Sequence, residues 1–289
     1  MGLADISEEI VKKFIVIAFA MLSILLSTMV SAAVPGYAAT IPVYTKAAFG
    51  TDVSDLWWNP SESGWGMQLV QEADFVFATV YVYGPSGSPT WITGELVANG
   101  GGVFSGPLYV NSGPWFGGPF DPTAVGVRQA GTMTFTLQTA GTGALTYSVD
   151  GVQVTKEVQR ETLVLDDYTG TYFSGAKFQS SGCSDPTQDG VMVAAISMDI
   201  NQTTTNMSMV WAFDTGNVCT YSGAYGQAGH LGTFVGAFNC TNGDAGQMVL
   251  YEMTRQPGTI SGQFSGSGSN TGCQYTGNFS GIDRTDSTQ

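Results

Sequence analysis

From residue 54 onward, apolar and polar side chains alternate with a period of two, and the alternation is interrupted at short intervals by clusters of Gly, Pro, Asn, Asp and Ser. This is the pattern of half-buried β-strands joined by tight turns. It predicts strands near 54–58, 65–72, 75–83, 90–97, 103–110, 126–138 with a break at Gly131, 144–149 and 152–159. A second series opens at Tyr168–Tyr172 and continues near 190–199, 207–213, 217–225, 230–240, 247–254, 259–266 and 273–280. The clearest hairpin is 145–149, Asp150-Gly151, 152–156. A two-residue Asp-Gly turn sets Val149 against Val152 and Tyr147 against Val154, so apolar side chains meet apolar ones and the register is self-consistent.

Each series holds about eight strands, the number at which an antiparallel sheet closes into a small barrel filled by side chains or one small ligand. The expected fold class is therefore all-β: two consecutive antiparallel up-and-down β-barrels, with a pair of β-sandwiches as the alternative. The domain boundaries follow the pattern: an aromatic-rich β domain over 54–160, a linker over 161–167 and a second β domain over 168–289. Ahead of them, Lys12-Lys13 precede an apolar run from Phe14 to Val30 and then the small residues Ser31-Ala32-Ala33. That order reads as a signal peptide over 1–32 followed by a spacer over 33–53, with an uncleaved anchor as the alternative.

Composition narrows the function. The 289 residues carry 9 Lys+Arg against 23 Asp+Glu, a net charge of −14, which is unsuited to phosphate or nucleic-acid partners. No transmembrane span is expected once the leader is removed, and no cofactor. The cysteines Cys183, Cys219, Cys240 and Cys273 lie in the second half, an even count in an exported chain, and imply two disulfides. A metal site is the weaker reading, because no CxxC pair occurs and the sequence has 1 His. In a meander that closes on itself, all four cysteines fall at one end, with Cys219 and Cys240 on neighbouring strands and Cys183 brought to Cys273 by closure.

The stretch Asp55-Leu56-Trp57-Trp58-Asn59-Pro60-Ser61-Glu62-Ser63-Gly64-Trp65-Gly66, followed by the aromatic strand 75–83 and Gly106-Pro107-Leu108-Tyr109, resembles a recurring domain of secreted bacterial proteins marked by a WWNPxESGWG run. The resemblance covers roughly 54–160. It implies a secreted or surface-located bacterial β-domain and brings no catalytic residues with it.

Candidate chemistry is sparse. His230 reads as an ordinary surface histidine, and there is no GxSxG elbow, HExxH or Walker A run. Asp185-Pro186-Thr187-Gln188-Asp189-Gly190 has part of a calcium-loop pattern, but Ile196 stands where the bidentate Glu would be, so a plain loop is expected. Glu62 and Glu95 are candidates for a glycosidase-like carboxylate pair. The structural reading is that Glu62 accepts backbone N–H bonds inside its own turn and that Glu95, sharing a strand face with Trp91 and Thr93, is a rim or solvent residue.

Strand parity yields a stronger constellation. It gathers Trp57, Trp58, Trp65, Tyr81, Tyr83, Trp91, Trp115 and Phe116 at one end of the first unit, together with Glu62 and the long 111–125 loop. Such an aromatic rim suits a saccharide or small apolar ligand, unless the rings simply plug the barrel. The expectation is a secreted, periplasmic or cell-surface, non-catalytic binding protein. The alternatives are a structural or adhesive component of a surface assembly and, third, a carboxylate-pair hydrolase.

Overall fold

A computed structural model describes residues 51–284. The signal-peptide reading of 1–32 and nearly all of the 33–53 spacer fall outside the described residues.

Two closed antiparallel barrels of eight strands each follow one another along the chain, each with its strands in sequence order. Barrel one comprises β1 (Asp55–Trp58), β2 (Gly66–Glu72), β3 (Phe75–Tyr83), β4 (Pro89–Gly100), β5 (Val103–Ser112), β6 (Gly126–Leu137), β7 (Thr142–Val149) and β8 (Val152–Arg160). Barrel two comprises β9 (Gly170–Ser181), β10 (Gly190–Gln202), β11 (Asn206–Phe213), β12 (Val218–Ala228), β13 (Leu231–Cys240), β14 (Ala245–Gln256), β15 (Thr259–Gly268) and β16 (Gln274–Asp283). The rings close through β1 with β8 and through β16 with β9, which settles the choice against sandwiches.

The period-two pattern explains which side chains fill each barrel. Met67 and Leu69 of β2, Val76, Ala78 and Val80 of β3, and Met133 and Phe135 of β6 are buried, and their sequence neighbours face out. The β7–β8 hairpin has the expected register, Val149 to Val152 and Tyr147 to Val154. Its turn needs positive φ at both central residues, and Asp150 and Gly151 supply it at 49° and 85°. The break at Gly131 is a register shift rather than an interruption: β6 continues through it, and its pairing with β5 slips between Leu108 and Tyr109. A Cβ at Gly131 would lie 1.8 Å from the Ser148 carbonyl oxygen, so only glycine fits that crossing.

One strand departs from expectation. The first strand of barrel two runs to Ser181 rather than stopping at Tyr172, which shortens the expected 175–189 loop. Tyr172, Ser174 and Ala176 are its buried positions and Lys177 faces out, so small residues conceal the alternation. The cysteines are joined as Cys183–Cys273 and Cys219–Cys240, the pairing that strand parity anticipates. Cys219 lies directly opposite Cys240, and Ser181 pairs with Gln274 to bring the other two together.

His230 is not the free surface histidine expected. Its ring Nδ1 lies 2.7 Å from Asp55 Oδ2, and its backbone N–H donates to the same oxygen at 3.1 Å. The buried Arg160 donates to that carboxylate at 2.8 Å and to the Ser54 carbonyl at 2.9 Å, and its guanidinium stacks 4.7 Å above the Trp57 ring. One carboxylate of β1 thus links the end of β8 to the turn before β13. Asp52 and Asp55 raise the His230 imidazole to about 9. Partial burial works against the Asp52 charge, but hydrogen bonds from His230 and Ser54 prevail and hold its carboxyl at about 2. Fully charged partners make these the stronger kind of hydrogen bond.

Candidate functional site

The expected aromatic rim separates into a core, a turn and an outer face. Trp57 belongs to the core: it is 1% exposed, packs edge-on against Phe135 at 4.9 Å and donates its indole N–H to the Val53 carbonyl at 2.9 Å. Its assignment to a ligand-contacting rim is therefore corrected. The reason is the stagger of a closed barrel, which a flat parity count leaves out. Although Trp57 stands near the end of its strand, its partner across the closing seam is Arg160, the last residue of β8.

The motif residues after it build a self-contained turn. Asn59 Oδ1 accepts from Ser61 N at 2.9 Å and from Ser61 Oγ at 2.7 Å, while its amide donates to the Glu157 carbonyl of β8 at 3.1 Å. Glu62 does not bind its own turn's N–H groups as expected. Its carboxylate accepts the Trp65 indole N–H at 2.9 Å and both oxygens take the Lys156 ammonium, at 2.8 and 2.7 Å. Lys156 and then Trp65 hold the Glu62 carboxyl below its ordinary value. Trp58 is half-buried, its indole N–H without an acceptor among the described residues. This part of the motif ties the β1–β2 turn to β8.

Tyr81, Tyr83 and Trp91 occupy positions that face away from the barrel interior, so they form a lateral face rather than a mouth. Tyr81 lies directly opposite Trp91 across β3 and β4, and Trp91 is 51% exposed. Tyr83 continues the row next to Gly64 of the motif turn. Amides and hydroxyls border these rings: Tyr81 OH reaches Gln68 at 3.4 Å, and the Asn111 amide donates to Thr93 Oγ1 at 3.0 Å. Glu95 stands lower on the same outward face, opposite Phe77. The 114–123 segment carries Trp115 and Phe116, 70% and 97% exposed, whose rings contact each other at 5.9 Å.

Barrel two holds what the sequence reading missed. At its disulfide-bearing end a cavity of about 220 Å³ opens between the 213–217 and 240–244 turns, lined by aromatic side chains, Met192 and Met248. Alternation marks Phe178, Tyr221 and Phe238 as inward-facing, but nothing in it shows that the rings stop short of filling the end. The calcium-like segment is a plain loop beside this mouth: Asp185 caps a short 3₁₀ turn by accepting from Thr187, and Asp189 accepts from Cys183 N at 2.9 Å.

No family model matches the chain, and no curated protein matches it. Among solved structures, a Bacteroides fragilis NCTC 9343 protein described as a "putative outer membrane protein" aligns at 12% identity over 79% of this chain and 95% of its own, with a TM-score of 0.29. At that similarity the match speaks neither to function nor to location.

Proposed function

We propose that this chain is a non-catalytic binding protein working outside the cytoplasm, secreted or at the cell surface, and that it takes a saccharide on the outer aromatic face of barrel one. The observation carrying this reading is the opposed Tyr81–Trp91 pair, half-exposed and bordered by Gln68, Thr93 and Asn111. Flat ring faces stack on the apolar side of a sugar while adjacent amides and hydroxyls bind its hydroxyl groups. A purely apolar ligand fits less well, because polar side chains interrupt the rings.

The location rests on the signal-like N-terminus, the resemblance of 54–160 to secreted WWNPxESGWG domains, and two disulfides, which belong to an oxidising compartment. Barrel two buries Trp, Phe and Met and presents Ser, Thr, Asn and Gln outward along β12, β15 and β16, the reverse of a membrane-spanning barrel. We therefore take it as a water-facing barrel.

Glycan-array and polysaccharide pull-down measurements on the exported protein test the site. Tyr81→Ala and Trp91→Ala should abolish binding without moving the thermal midpoint, and full binding by the double variant removes this face from consideration. Intact-mass measurement of the exported protein should show loss of the segment through Ala32 or Ala33. The assembly reading has exposed apolar runs in its favour, Leu163-Val164-Leu165 and Val191-Met192-Val193. Both sheets are closed, so assembly would have to use such side-chain patches rather than strand edges.

A further inference from the structure

The mouth of barrel two combines two features that belong together chemically. The first is an aromatic cup. Phe178 and Phe213 form one wall, ring centroids 5.6 Å apart, and Tyr221, Phe238 and Tyr275 form the other, with successive separations of 6.0 and 6.2 Å. The second is a carboxylate. Asp244, at the turn into β14, is 8% exposed and lines the same cavity. Tyr275 OH donates to its Oδ2 at 2.7 Å and Thr271 to its Oδ1 at 3.2 Å. Burial, and then the Asp244 bond, push the Tyr275 phenol up to about 12, so Tyr275 remains a donor across the working pH range.

Neutral hydroxyl donors satisfy part of a carboxylate's hydrogen-bonding capacity and leave its charge uncompensated. Elsewhere in the chain, Asp55 is paired with Arg160 and His230, Glu62 with Lys156, and Asp150 with Arg128. Among the described residues no Lys, Arg or His lies in ion-pair range of Asp244, and no basic side chain lines the cavity. A largely buried carboxylate beside a cavity lined by five aromatic rings suits an organic ammonium ion, with the carboxylate as counter-ion and the rings available for cation–π contact. An anionic ligand would meet a like charge there, and a neutral one would leave the carboxylate unpaired.

We infer that the disulfide-framed mouth of barrel two is a binding site for a small organic cation, an alkyl- or arylalkylammonium group held between Asp244 and the Phe178, Phe213, Tyr221, Phe238 and Tyr275 rings. The cavity, about 220 Å³, is smaller than the roughly 300–1,000 Å³ of sites for drug-sized molecules and fits a compact head group. The Cys219–Cys240 bond forms part of its wall. This site is separate from the saccharide face of barrel one, and each stands or falls without the other.

The test is an NMR titration of the disulfide-intact protein labelled at its methionine methyls, with Met248 and Met192 as reporters inside and beside the cup. The probes are choline with its neutral carbon isostere dimethylbutanol, and benzylammonium with benzyl alcohol. The cations should shift the Met248 methyl saturably, with the isosteres about tenfold weaker, the factor that about 1.4 kcal/mol of cation–π and charge pairing provides. Asp244→Asn should erase the difference between cation and isostere. Tyr275→Phe keeps the ring but removes a competing donor, so it should tighten choline binding, an effect that a purely structural Tyr275–Asp244 bond would not produce. Should Asp244→Asn fail to fold, Tyr275→Phe decides the matter. Equal binding of isosteres and cations, no Met248 shift at about millimolar cation and above, or a Tyr275→Phe affinity equal to wild type overturns the assignment.

Discussion

The two barrels share strand number, connectivity and closure, yet they are filled differently. Barrel one buries mainly aliphatic side chains, among them Leu69, Val76, Val80, Leu96, Leu108 and Leu145, around Trp57 and Phe135. Barrel two buries Trp211, four tyrosines, four phenylalanines and a run of methionines. Planar rings pack tilted or edge-on to one another, and in barrel two a cavity remains where that packing ends. In barrel two that space lies at the disulfide end, where covalent links hold strands that packing alone would have to fix. Barrel one instead places exposed aromatics on its outer face, on β3 and β4. One topology thus offers two kinds of surface: a lateral ring platform and an axial cup.

This contrast yields predictions of decreasing size. Trp57→Ala and Trp211→Ala each remove a fully buried ring from one barrel and should cost about 3–5 kcal/mol. Hydrogen exchange should show the loss confined to the barrel that carries the change. Uniform loss across both barrels would mean that the Asp55–Arg160–His230 cluster couples them into one cooperative unit. Removing either disulfide by paired Cys→Ala substitution should cost about 2–4 kcal/mol in barrel two alone, chiefly by freeing the unfolded chain, and would appear as a lowered denaturation midpoint.

A pH series isolates the link between the barrels. The His230 imidazole is raised from 6.5 to about 9 in the folded protein, so its contribution is complete below 6.5 and is lost as pH rises through about 9. Asp52 is lowered from 3.8 to about 2, so its contribution is complete above 3.8 and is lost as pH falls through about 2. Thermal midpoints should therefore be highest between about 4 and 6.5 and decline on the alkaline side, and His230→Ala should flatten that alkaline decline. A decline that persists unchanged in His230→Ala assigns it to other groups. The smallest effects belong to the exposed rings: Trp91→Ala and Trp115→Ala should each shift stability by no more than about 0.5 kcal/mol in differential scanning calorimetry. A large loss in either would mean that the ring is structural rather than a contact surface.

Much of this fold is present in local pattern. The β7–β8 register follows from Asp150-Gly151 and the alternation on either side, because a two-residue turn leaves the strands a single pairing that buries both apolar faces. The disulfide pairing follows from parity and closure, because antiparallel neighbours alternate ends whatever their exact stagger. Parity fails where stagger matters. It placed Trp57 with Trp65 and Trp91 at one rim, whereas tilt around the ring pairs Trp57 with Arg160 and buries it, and alternation turns Trp91 outward. Residues 173–181 were hidden because Ser174, Gly175 and Ala176 give too weak an alternation to register as a strand.

The sequence by itself determined most strand positions, the division into two series, the hairpin register and the cysteine partners, since each depends on period-two alternation, turn chemistry or strand order, which are properties of neighbouring residues. Only the tertiary structure decided that Asp55 joins Arg160 and His230 across 175 positions of chain, that Tyr81 and Trp91 face outward as a pair, and that Asp244 meets five rings around an open cup. Those outcomes depend on how far the strands shear as the sheets close and on how completely the enclosed side chains fill the space. Both are collective quantities of eight strands at once, and no local window of sequence contains them.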